Sequence, residues 1–151
     1  MTKKWTDASK EYQEYLRLSD FDSKMAGKLN YYVLGFLAGM GKKKRAAQTD
    51  IWRELRSMAY FGLCEAERKQ NRFATAIGHC QKALVYDPGD PFLHYQLGLA
   101  YTQQANEADD RSLLPAARKH FRAMLDINAE LPEAEYARRN LAAIEKAIYA
   151  Q

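Results

Sequence analysis

From Trp5 to Ile148 the apolar residues of this chain recur every three or four positions, and no stretch alternates with period two for long enough to make a strand. Trp5, Ala8, Tyr12 and Tyr15 form one such set, and Leu29, Val33, Phe36, Leu37 and Met40 a second. Ile51, Leu55, Met58, Gly62 and Leu63 form a third, and Ala134, Ala137, Leu141, Ala142, Ile144 and Ile148 the most regular. Spacing of this kind places each set on one face of a helix, so every helix must bury a stripe against another. An all-α fold follows. Ser19-Asp20, Gly39-Met40-Gly41, Gln70-Asn71-Arg72 and Asp87-Pro88-Gly89-Asp90-Pro91 interrupt the pattern. They divide the chain into about seven helices, expected at 6–18, 22–40, 47–70, 73–86, 91–107, 113–128 and 131–149.

Charge separates the chain into two parts. Residues 1–50 carry 10 Lys and Arg against 6 Asp and Glu, whereas residues 51–151 carry 13 of each. The whole net charge of +4 therefore belongs to the first third. The longest apolar stretch, Leu29–Met40, would span about 18 Å as a helix, too short for a hydrocarbon core of about 30 Å. Asp7, Glu11 and Glu14 follow Lys3 and Lys4 where a secretory signal would be apolar. Cys64 and Cys80 are too few for a disulfide framework and are expected as buried free thiols in a reducing, cytoplasmic setting, with a regulatory disulfide as the weaker alternative.

An internal period refines this picture. Residues 57–90 contain Tyr60, Leu63, Cys64, Phe73, Ala76, Cys80, Ala83 and Pro88. Residues 91–129 contain His94, Leu97, Gly98, Tyr101, Ala117, Phe121, Met124 and Ala129 in corresponding roles. Both sets resemble the tetratricopeptide repeat, a 34-residue helix–turn–helix unit. Small residues at Ala76, Ala83, Gly98 and Ala117 would let paired helices approach, while Leu63, Phe73, Leu97 and Phe121 fill the space between them. The match is degenerate. Cys64 stands for the first glycine, Glu67 for the following aromatic and Ala129 for the second proline, and Ala117 falls seven residues late, so Asn106–Leu114 must extend a helix or bulge. Tyr31, Leu34, Gly35 and Ala47 hint at a degenerate earlier unit, so the apolar helix 22–40 is expected to extend the stack, with folding into the repeats' groove as an internal ligand its alternative. The resemblance implies an α-solenoid, with residues 46–151 as a repeat domain, 131–149 as its capping helix and 1–45 as a helical extension.

The same resemblance implies a concave groove that receives a peptide or amphipathic helix of another protein. Its matching positions are Met58, Phe61, Glu65, Arg68 and Lys69, then Phe92, Tyr95, Leu99, Thr102 and Gln103, then Tyr136 and Asn140 on the cap. They describe an aromatic lining with basic residues at one end, suited to apolar anchors. The family's clamp for the C-terminal carboxylate of heat-shock chaperones is missing, since Phe61, Glu65, Tyr95 and Leu99 occupy its places. An adaptor is therefore the leading expectation. The alternatives are a dedicated chaperone of a secreted or membrane-bound client, and a structural subunit that self-associates into homo-oligomers through Leu29–Met40 and the groove.

Other constellations are read more plainly. Lys42, Lys43, Lys44 and Arg45 form the densest basic cluster, expected as a solvated loop, with a peripheral membrane contact as its weaker alternative. No stacking aromatics interleave it, so nucleic-acid binding is not expected. His79, His94 and His120 are dispersed and lack metal-ligand spacing. Without a phosphate loop, a nucleophile elbow or a histidine–nucleophile pair, neither catalysis nor a cofactor is expected.

Overall fold

The computed structural model describes residues 5–14, 16–17 and 42–149, with side chains from residue 53 onward in the last stretch. The expected helix 22–40, the half-unit at Tyr31, Leu34 and Gly35, and the side chains of Lys42–Arg45 lie outside the described residues. Helix α1 covers 5–14 and continues through 16–17. It is followed by α2 (Lys42–Lys69), α3 (Phe73–Tyr86), α4 (Pro91–Ala108), a 3₁₀ turn (Arg111–Leu113), α5 (Leu114–Ile127) and α6 (Ala134–Tyr149). No strand occurs among the described residues.

Local chemistry sets the boundaries. Asn71 adopts a left-handed conformation (φ 61°), which lets the amides of Asn71 and Arg72 reach back to the carbonyls of Arg68 and Glu67 and close α2. Asp109 (φ 50°) does the same for α4, with the Asp110 amide donating to the Ala105 carbonyl. Asp90 caps the start of α4 by accepting from the Phe92 amide at 2.8 Å, with Pro91 in the first turn, where its missing N–H costs nothing. The late position of Ala117 is thus met in two ways at once: α4 runs to Ala108, and a 3₁₀ turn takes up the rest.

One boundary departs from expectation. Helix α2 begins at Lys42 rather than 47, so Lys42–Arg45 forms its first turn instead of a loop, and the division expected at 45/46 falls inside a helix. Lys, Arg and Ala are strong helix formers. Across Lys42–Ala47 that propensity outweighs the penalty of cations at a helix N-terminus, each worth a few tenths of a kcal/mol when exposed.

Each helix packs antiparallel on the next. Arg53 and Ser57 of α2 donate to the carbonyls of Tyr86 and Ala83, while the other end of α2 meets the start of α3 through Glu67 and Arg72. Between these ends Cys64 and Cys80, with Cα atoms 5.2 Å apart, are joined by a disulfide. The expectation of free thiols is thereby corrected: two small residues at facing positions of a tight helix pair meet within bonding reach. Helix α1 lies along α2, with Trp5 near Lys69, Ser9 donating to Glu67 at 2.7 Å, and Tyr12 over Gly62.

The core has two parts. Cys64, Ala76, Cys80, Ala83, Leu93, Leu97 and Ala100 form one, and Leu114, Ala117, Phe121, Met124, Ala137 and Ile144 the other, with Tyr101 packed against both. Gly98 permits the join: a methyl group there would lie 2.7 Å from the Phe121 ring. The eight positions read as small or large packing residues are all buried.

Candidate functional site

Four of the twelve expected groove residues share a cavity of about 520 Å³: Met58, Phe61 and Glu65 from α2, and Phe92 from α4. Met58, 62% exposed, and Phe92 offer apolar surface to solvent, whereas Phe61 also packs against the core. Tyr12 of α1 adds an aromatic wall, made possible by Gly62 beneath it. Glu54, Asp87 and Asp90 complete the rim, so four carboxylates and no cation stand among the described lining residues. Asp87 and Asp90 are positioned by the turn between α3 and α4, where their side chains accept from the amides of Gly89 and Phe92.

Of the basic end expected of the groove, Arg68 is buried and Lys69 is exposed. Arg68 is only 8% exposed, and it donates from Nε to Gln96 at 2.7 Å and from a terminal nitrogen to Gln103 at 3.2 Å. Burial lowers its affinity for the proton, while Glu65 and Tyr95 nearby oppose that shift. Lys69 lies over the Trp5 ring, 5.9 Å from its centre. Neither cation lines the cavity, whose charged lining residues are all carboxylates.

The remaining expected positions lie outside this cavity. Tyr95 packs edge-on against Phe121 at 6.1 Å, and burial raises its hydroxyl pKa. Leu99 packs against the second core, and Thr102 donates to the Gly98 carbonyl at 2.8 Å. Gln103 is held by Arg68. Tyr136, 61% exposed, lies under Arg139 at 5.9 Å, and Asn140 donates to the Tyr136 carbonyl. Tyr95, Leu99, Thr102 and Gln103 are half-buried with partners inside the fold, and Tyr136 is an exposed aromatic on α6.

Folding also brings together residues that are distant in the chain. His94 and His120 face one another with their Nδ1 atoms 3.0 Å apart, and His94 Nε2 lies 3.3 Å from the Pro88 carbonyl. His120 stacks on Tyr101, and its pKa is lowered to about 4 by burial first, then by His94 and Lys119. A signal for this pair was present. If Gly98 receives Phe121, then His94, one turn earlier, and His120, one residue earlier, share the same interface. Glu67 is another such residue: 2% exposed, it accepts from Ser9 and from Arg72 and ties α1 to the α2–α3 turn.

Among the described residues no group of three or more His, Cys, Asp or Glu is arranged to hold a metal ion, and no helix is long and apolar enough to cross a membrane. Compared with known protein families and with curated proteins, the chain matches none.

Proposed function

We propose that this protein is a small helical-repeat adaptor, of the kind the tetratricopeptide resemblance implies, which seats an apolar segment of another protein between α2 and α4. The observation that supports this reading is the cavity of about 520 Å³ walled by Tyr12, Met58, Phe61 and Phe92. Exposed Met and aromatic side chains around a concavity are the usual anchors of peptide recognition. Consecutive antiparallel helix pairs with small residues at their contacts are consistent with a solenoid in which α6 covers the last pair.

The test uses the side chains that contribute surface without holding the core. Peptides selected by display on the intact chain should carry large apolar anchors. They should lose about 30-fold or more in affinity on Met58→Ala with Phe92→Ala, the range of a binding hot spot. Circular dichroism melts of the variant should match the parent. Selected peptides that bind the double variant equally well would sink the groove reading. Tyr95 is a poor choice for this purpose, because its contact with Phe121 mixes binding with stability.

The two cysteines bear on location. A Cys64–Cys80 bond persists in oxidising compartments, so the cytoplasmic reading applies to this chain only with both thiols reduced. Mass spectrometry of alkylated protein from native cells distinguishes the two forms.

A further inference from the structure

The groove as expected from sequence was aromatic with a basic end; the groove as folded is aromatic with an acidic rim. We propose that its occupant is a basic amphipathic segment, a helix or peptide of another protein that carries large apolar side chains beside Lys or Arg. This inference rests on the adaptor reading and adds the partner's charge.

Charge complementarity carries it. Glu54, Glu65, Asp87 and Asp90 all line the same cavity as Phe61 and Phe92, so a segment whose apolar residues enter it brings its flanking residues against carboxylates. None of the described cations lines the cavity: exposed Arg53 donates to the Tyr86 carbonyl beside Asp87. Arg68 is engaged by Gln96 and Gln103 inside the fold, and Lys69 lies over Trp5 on the α1 side. The chain's own basic cluster is remote. Arg45 precedes Glu54 by nine residues of the same helix, about 13 Å at 1.5 Å per residue, beyond a Debye length of about 8 Å at physiological salt. A positively charged chain thus presents a locally negative pocket, and local potential, rather than net charge, steers a partner at short range.

An acidic segment with the same apolar face would place carboxylate against carboxylate and lose its hydration without a partner. That repulsion gives selectivity as well as attraction. The aromatic walls would supply affinity to either segment, and the rim would decide between them.

Three fluorescein-labelled 18-residue amphipathic peptides test this by anisotropy with the full chain. All share one Leu/Phe face and differ only in Lys, Gln or Glu on the other. The Lys peptide should bind at least about tenfold tighter than the Glu peptide at 50 mM NaCl, with the Gln peptide between them and the gap narrowing at 500 mM. Glu54→Gln with Asp87→Asn should weaken the Lys peptide and strengthen the Glu peptide while leaving the melting curve unchanged. Asn at 87 still accepts from the Gly89 amide, and Asp90 is left to cap α4. If all three peptides bind alike, or the Glu peptide binds best, the charge inference is overturned and the groove reading survives. If none binds, both are overturned. If the chain sediments as a dimer that the rim variant dissociates, the occupant is a second copy and the proposal of a foreign segment is overturned.

Discussion

Reducing the Cys64–Cys80 bond should destabilise the protein by an amount set by the loop it closes. The two cysteines are 16 residues apart, in α2 and α3. In the chain-entropy model the loss is 2.1 + 1.5R ln n cal/mol/K, which for a loop of this length comes to about 10 cal/mol/K, or about 3 kcal/mol at 25 °C. Packing should change little, because both residues are fully buried in the α2–α3 core and reduced thiols remain small and apolar there. The expected result is a fold that survives reduction with a melting temperature about 10 °C lower. The assay compares urea unfolding of the oxidised protein with protein reduced while unfolded and then refolded under a phosphine reductant. Cys64→Ala with Cys80→Ala should approach the reduced form, less a small cavity term. Under native conditions the bond should resist reductant until the α2–α3 pair opens, because neither sulfur is exposed. Superimposable oxidised and reduced curves would refute the loop argument, and two free thiols in denatured, unreduced protein would refute the bond itself.

Gly98→Ala should destabilise by about 1–2 kcal/mol, since the overpacking penalty against the Phe121 ring exceeds the helix-propensity gain; equal or higher stability in denaturant would contradict the close contact. His120 should make stability pH-dependent. Its folded pKa of about 4 lies below the ordinary value of 6.5, so its contribution is complete above pH 6.5, declines as pH falls and is gone below about 4. Allowing for solvent screening of a partly exposed ring, the loss should be about 1–2 kcal/mol. His120→Gln should remove that component from urea midpoints measured at pH 7 and 4.5, and an unchanged pH dependence would exclude His120 as its source. Ser9→Ala should loosen α1 from α2 by removing a buried bond to Glu67, seen as faster amide exchange in residues 5–14 with the α3–α6 amides unchanged. Unaltered exchange in α1 would show that the bond from Ser9 is not needed beside the contacts of Trp5, Thr6 and Tyr12.

Much of the helical layout was legible because it depends on local chemistry. The span Phe73–Tyr86 was readable to the residue, since Asn71 on one side and Asp87-Pro88 on the other stop helices whatever surrounds them. The start of α2 was misread because a dense run of cations looks like a loop while its residues individually favour helix. Met58, Phe61 and Phe92, which the repeat resemblance singles out, line one cavity. Arg68 and Lys69, expected on one surface, both lie on α2, with Arg68 buried and exposed Lys69 over the Trp5 ring. Register tells which way a side chain leaves its helix, but not whether Gln96, Gln103 or Trp5 waits there. Asp87 and Asp90 were counted as helix breakers, and only their position beside Phe92 makes them a rim.

By itself, the sequence determined that the described chain is helical, where most helices end, and which alanines, glycines and large side chains must meet. The first two follow from periodicity and backbone preference acting over a few residues, and the third from the repeat resemblance. Tertiary structure alone decided that Cys64 bonds Cys80, that His94 meets His120, and that the pocket is acidic in a chain of net charge +4. The reason is distance. Bonds, proton affinities and local potentials fall off within a few ångströms, and residues 16, 26 or 33 positions apart acquire such distances only when helices pack.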